Sequence, residues 1–226
     1  MAPDKTALMK KAPFLFIAAF LVLSLAFFVP AGTLDYWQAW VYIAVILIPA
    51  SFAVAYFLKY DPKFLERRMQ YREKEAQQKR ILGFGNIIFL ISFLLPGFDR
   101  RFGWSVVPFE YVIAADILVF LGYLFVILVF RENRYAARII QVEKGQTVIS
   151  TGPYSIIRHP MYVGVLVMYL ATPIALGSYV ALIPFLLIPI ILYFRILNEE
   201  EVLLRELPGY KEYCEKTRYR LIPYVW

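Results

Sequence analysis

The sequence predicts an all-α integral membrane protein of about six helical segments: four spans, then a C-terminal helical hairpin, with the N- and C-termini cytoplasmic. Three observations predict it. Of 226 residues, 61% are hydrophobic and the mean hydropathy is +0.60, whereas a soluble domain is about 45–50% apolar. The apolar residues arrive in long blocks, without the alternating or amphipathic rhythm of a soluble fold. The basic residues fall between those blocks in a lopsided way. Backbone polar groups in hydrocarbon must be satisfied within the segment, so the blocks should be helices.

The elements follow in order. A span needs roughly 20 apolar residues, and Pro13 to Pro30 is the first, preceded by Lys5, Lys10 and Lys11. That flank also suits a signal peptide, but further spans follow at once and no small-x-small cleavage site closes the block. It reads as a retained helix. The second span runs from about Tyr36 to Leu58, with Trp37, Trp40 and Tyr42 as an interfacial anchor. The third runs from Ile81 to Phe98 and the fourth from about Tyr111 to Phe130. The stretch Met161 to Ile196 is too long for one ordinary crossing. Gly177-Ser178 breaks it, and Pro173, Pro184 and Pro189 mark further irregularity. Two short arms joined at that turn fit it best, and one long, steeply tilted helix is the competing reading.

Charge then orients the spans. The 59–80 loop carries Lys59, Lys63, Arg67, Arg68, Arg72, Lys74, Lys79 and Arg80, whereas 99–108 has only Arg100 and Arg101. Segments 131–160 and 199–226 are again basic. A hairpin at 161–196 puts all the basic segments and both ends on one side, which is then cytoplasmic. The net charge of +7 and pI near 9.4 are explained by this rule, so nucleic acid is not an expected partner. In the 59–80 loop, Glu66, Glu73 and Glu75 interleave with the cations at helical spacing, as in a solvated interfacial helix; an anionic-lipid patch is the alternative. The lone Cys214 allows no internal disulfide, and its polar neighbours suggest a surface thiol.

Polar residues concentrate in RENRYAARIIQVEKGQTVISTGPYSIIRHP, residues 131–160. Thr151-Gly152-Pro153-Tyr154 reads as a tight turn. Arg158-His159-Pro160 follows, and Pro160 suits the first turn of a helix. The helix start offers free N–H groups to an acceptor on a ligand. His159 is the only histidine. It either packs this junction or contacts a ligand. No metal site is expected, because there is no second histidine or cysteine pair at ligand spacing. No G-x-S-x-G elbow marks a hydrolase. At the end of the hairpin Arg195 and Glu199 share a helix face, followed by Glu200 and Glu201. Arg195 in an apolar run either snorkels to the interface or faces a polar cavity. Three consecutive glutamates repel one another, which favours ligand contact for at least one.

The runs TGPYSIIRHPMYVG, RILNEEEVLL and LPGYKEYCEKTRYRLIP together resemble the isoprenylcysteine carboxyl methyltransferase family and, more distantly, the phospholipid N-methyltransferases. The resemblance covers about residues 131–226; the first four spans match only as generic hydrophobic helices. It divides the chain into residues 1–130, transmembrane helices 1–4 with the basic loop 59–80, and residues 131–226, a cofactor-binding loop, the hairpin and a cytoplasmic tail. It implies S-adenosylmethionine as methyl donor and a lipophilic small-molecule or lipid acceptor drawn from the bilayer. Its setting would be a bacterial or archaeal inner membrane, with the active site facing the cytoplasm. Carried over by position, Gly152, Tyr154, Arg158, His159, Pro160, Tyr162 and Gly164 would line the cofactor pocket. Glu199 and Glu200 would hold the ribose or amino group, and Arg195 would sit where cofactor meets substrate. As catalytic residues, Arg195 would orient a carboxylate acceptor and Glu199 would serve an amine as base; a thiol acceptor also stays open. The family often has a histidine where this chain has Gln146, which can hydrogen-bond but cannot shuttle a proton.

Two other readings compete. The tail is also similar to that of sterol reductases, which implies NADPH and hydride transfer. However, Met161 replaces the asparagine of their R-H-P-N-Y motif, and the paired glutamates after Arg195 favour methyl transfer. A non-enzymatic membrane scaffold or transport accessory is the third reading. Spans 1–4 hold few ionisable residues to support a transport path, Asp116 being the exception. Burial against another helix or a place near the interface would account for it.

Overall fold

The computed structural model describes residues 5–69, 76–137 and 139–226. Every element among them is helical: α1 (Lys5–Ala31), α2 (Trp37–Tyr60), α3 (Pro62–Arg68), α4 (Ala76–Phe102), α5 (Phe109–Glu132), a 3₁₀ turn (Gly152–Ser155), α6 (Pro160–Ala175), α7 (Leu182–Phe185), α8 (Ile188–Glu206) and α9 (Tyr210–Lys216). Four stretches are long and apolar enough to cross a membrane: Thr6–Ala31, Trp37–Tyr60, Phe109–Glu132 and Leu182–Glu206. This is an all-helical membrane protein, as the apolar blocks require. Each expected span falls on a helix, with Tyr36 as the N-cap of α2; the third, Ile81–Phe98, lies in α4, which is not one of these four stretches, and the returning arm of the hairpin is. Arg72, Glu73, Lys74 and Glu75 of the 59–80 loop lie outside the described residues.

The hairpin forms. Gly177 takes φ of 72°, a left-handed conformation that glycine adopts without a Cβ clash. Asp99, at the end of α4, braces that turn by accepting from the Ser178 hydroxyl at 2.5 Å and from Ser105 N–H at 2.7 Å. The Tyr36 hydroxyl donates to the Leu176 carbonyl from the other side, at 2.6 Å. The arms are unequal. α6 has 16 residues, roughly 24 Å of helix. The returning arm runs without a chain reversal to Glu206, so Arg195 and Glu199–Glu201 share one helix.

α6 packs along α5 at close range. A Cβ at Gly164 would meet Val126 Cγ2 at 2.7 Å and the Gly122 carbonyl at 2.9 Å; one at Gly122 would meet Gly164 O at 2.9 Å. Around this pair a core of Phe27, Tyr36, Tyr42, Phe93, Phe185 and Ile196 joins α1, α2, α4 and the hairpin. Asp116 is buried inside the bundle, the first of its two expected settings. Outward-facing Phe14, Phe52, Phe84 and Ile183 are exposed, as lipid-facing side chains should be.

At the opposite end from the Asp99 brace, α3 fixes the loop after α5. Asp61 caps α3 by accepting from Phe64 N–H at 3.1 Å, and Phe64 packs between Phe57 and Phe130. Arg67 then reaches the Arg134 carbonyl at 2.6 Å and Glu143 at 3.3 Å, and Arg68 reaches the Ala137 carbonyl at 3.1 Å. The expected interfacial helix is thus partly a clamp. Its arginines are spent on loop carbonyls, which have no helical partners of their own.

Candidate active site

Between the loop 133–149, the start of α6, the end of α8 and α9 lies a cavity, open in part to solvent. One wall is apolar, with Ile139, Ile140, Val148, Leu203 and Leu207, and the Tyr210 and Tyr213 rings close it. The other end is polar and carries Arg195, Glu199, Tyr162, His159 and Arg158.

The polar end is built from two shells. Nearest the cavity, the Tyr162 hydroxyl donates to Glu199 Oε2 at 2.6 Å and accepts from Arg195 Nε at 2.9 Å. One phenol therefore fixes a cation and a carboxylate at a set spacing, in a place where both are part-buried. Behind it sits Glu200, itself buried. It accepts from Arg158 Nε at 2.6 Å and from Arg158 Nη2 at 3.4 Å, from Arg220 Nε at 2.6 Å, and lies 3.3 Å from His159 Nε2. Arg158 Nη1 donates in addition to the Thr217 and Arg218 carbonyls, both at 3.0 Å. Burial works against the Arg158 charge, but the adjacent Glu200 outweighs it and raises the pKa of the guanidinium above its ordinary value. Among the described residues no group of three or more His, Cys, Asp and Glu stands together as a metal would require.

The tyrosines hold the remaining wall. Tyr154, on the 3₁₀ turn, accepts from Asn133 Nδ2 at 3.0 Å through its hydroxyl, and its carbonyl accepts from the Tyr213 hydroxyl at 2.7 Å. Burial pushes the Tyr154 phenol upward, partly offset by the Asn133 hydrogen bond. Gly145, with φ of 78°, closes the Glu143–Gln146 turn. Gln146 Oε1 accepts from Glu143 N–H at 2.9 Å there.

Of the residues singled out from sequence, Gln146, Tyr154, Arg158, His159, Tyr162, Arg195 and Glu199 line the cavity. Gly152, Pro160, Gly164 and Glu200 stand one layer behind it. Gly152, with φ of 54°, packs on Glu132. Pro160 opens α6, and Gly164 serves the approach of α5 and α6. Glu200 organises the arginines. Cys214 is not the expected surface thiol. α9 turns it to the same side as Tyr210, four residues earlier, and it is half-buried against Leu207, Tyr210 and Tyr213. Asn133, Tyr210, Tyr213 and Arg220 were not among the candidate site residues, although the last three lie in the run LPGYKEYCEKTRYRLIP.

Residues 111–210 match the family model described as phospholipid methyltransferase. A Delta(14)-sterol reductase of Mus musculus, TM7SF2, is 32% identical over 94 residues, which is 38% of this chain and 22% of that protein. The chain thus spans well under half of that relative's length. The matched residues carry nearly all of α5, the 3₁₀ turn, the hairpin and every cavity-lining residue except Tyr213. The stretch that builds most of the cavity is thus similar to the phospholipid methyltransferase family, in an all-helical protein with helices able to cross a membrane.

Proposed function

We propose that the chain transfers a methyl group from S-adenosylmethionine to a lipophilic acceptor at the cytoplasmic face of the membrane. The observation that carries this reading is one cavity, inside the family-matched segment, with an apolar aromatic slot at one end and a tyrosine-bridged arginine and glutamate at the other. These residues fit such a donor. Ile139, Val148, Leu203 and Leu207 suit the faces of a purine. Glu199 is the carboxylate on the cavity wall and suits ribose hydroxyls or an ammonium group; Arg195 or His159 suits a carboxylate. Glu200 takes a positioning role, since its oxygens are occupied by Arg158 and Arg220.

The bound donor supplies an electrophilic methyl group on a sulfonium sulfur. The chain's own task is then to orient and to exclude water, which is where much of the rate of a displacement comes from. Tyr162 holds Arg195 beside Glu199, so a cation is ready for an anionic acceptor. A carboxylate acceptor is ionised near neutral pH and needs only that orientation. A protonated amine would need a base, and Glu199 is the carboxylate in reach. Among the described residues, Arg100 and Arg101 are the only Lys or Arg at the Asp99 end. Under the positive-inside rule this distribution supports a cytoplasmic setting for the cavity and both termini.

The likeness to a sterol reductase favours a second reading, hydride transfer from NADPH. Thermal unfolding of the detergent-solubilised chain separates the two. S-adenosylhomocysteine should raise the midpoint, NADPH should not, and Glu199→Gln should remove the effect. Stabilisation by NADPH alone would replace the first reading with the second.

A further inference from the structure

Residues 222–225 form a turn whose side chains belong neither to the cavity lining nor to the core. The N–H groups of Arg220, Leu221 and Ile222 all donate to the Trp226 carbonyl, at 3.0, 3.0 and 3.2 Å. The N–H groups of Val225 and Trp226 donate to the Ile222 carbonyl, at 3.1 and 3.0 Å. The turn is closed on itself, and large apolar side chains stand outward on it: Tyr224 is 89% and Val225 76% exposed, and Ile222 is exposed beside them. Tyr224 also takes φ of 64°, where glycine or asparagine is usual. Solvated tight turns favour Gly, Asn, Asp and Ser. Ile-Pro-Tyr-Val departs from that chemistry at three positions.

The surroundings show what covers it. The Trp226 ring stacks on Tyr193 of α8, with centroids 5.0 Å apart and planes at 29°. Tyr193, Phe194 and Ile190 form an exposed apolar face of α8, which belongs to a stretch able to cross the membrane. The turn is thus continuous with a lipid-facing surface. Lys216 and Arg218 are exposed on the same segment, and Tyr219 packs on Tyr224 at 5.3 Å. Aromatic and apolar tips flanked by cations are the composition found at headgroup level.

We propose that the Ile222–Val225 turn is a bilayer anchor, seated among the lipid headgroups beside α8. The same segment supplies acceptors at the Tyr219 and Arg220 carbonyls to the N–H groups of Arg158 and His159, both at 2.9 Å, and supplies Arg220 to Glu200. Lipid contact at the turn therefore braces the polar end of the cavity from outside.

The test is a nitroxide label at Tyr224→Cys, in a Cys214→Ser background, on the full chain in nanodiscs of phosphatidylcholine and phosphatidylglycerol. Collision with oxygen is compared with collision with a water-soluble nickel chelate. Lys144→Cys, in the exposed turn at the same end, is the aqueous reference, and Phe194→Cys is the lipid reference. The oxygen-to-nickel ratio at 224 should exceed that at 144 several-fold and approach that at 194. A label at Val225→Cys repeats the measurement in case the first substitution disturbs the turn. Ratios at both positions equal to that at 144 would overturn the proposal. Methyl transfer plays no part in this readout, so the anchor stands or falls separately from the function.

Discussion

Replacing Glu200 by alanine is the most informative perturbation of this molecule, because one carboxylate holds three basic side chains from two parts of the chain. Removing one member of a buried ion pair costs about 3–5 kcal/mol, since the other charge is left without compensation. Arg158 would keep its two carbonyl acceptors at 217 and 218, which places its share near the lower end, about 3 kcal/mol. Arg220 keeps a third of its side chain in solvent, so its pair adds only about 0–1 kcal/mol. The sum, about 3–4 kcal/mol, corresponds to a fall in midpoint of roughly 6–16 °C for a chain of this size. Glu200→Gln preserves volume and one acceptor oxygen and should lose about half as much. Thermal unfolding in detergent gives the shifts, and the Arg158→Ala, Glu200→Ala cycle gives the coupling. A midpoint for Glu200→Ala within about 2 °C of the parent, or a coupling below about 1 kcal/mol, would show that the cluster does not organise this end of the molecule.

Tyr162→Phe removes the hydroxyl between Arg195 and Glu199; kcat should fall about 10- to 100-fold, with S-adenosylhomocysteine affinity, measured by calorimetry, changed much less. Gly164→Ala drives a methyl group into Val126 and the Gly122 carbonyl, an overpacking of about 1–3 kcal/mol; an unchanged unfolding midpoint would mean that α5 and α6 separate freely. Burial raises the Cys214 thiol above its ordinary value, with Arg158 pulling the other way. Less thiolate is then present at any neutral or mildly alkaline pH, so iodoacetamide should label Cys214 more slowly than free cysteine, and the rate should still climb at a pH where the free thiol has levelled off.

The membrane helices were legible because the bilayer leaves the chain one way to satisfy its backbone. The hairpin was legible because Gly177 interrupts a run too long for one crossing. That bend brings Arg158 and His159 to Glu199 and Glu200, residues some forty positions away. The parts that escaped have no period to betray them. Arg220 reaches Glu200, Asn133 reaches Tyr154 and Asp99 reaches Ser178 through side chains that serve one contact each. The division of labour between Glu199 and Glu200 was also hidden. Adjacent helical residues point about 100° apart, and only the packing of α8 decides which faces the cavity.

The hydrogen bonds from Arg158 and His159 to residues 217–220 bear on how the protein is made. The ribosome delivers position 158 about sixty residues before its acceptors, and the membrane helices can be inserted before the acceptors emerge. The polar end of the cavity is therefore finished after insertion. A nascent chain arrested before Thr217 would leave Arg158 with unfilled donors, a defect that quality-control proteases acting on newly inserted proteins could recognise.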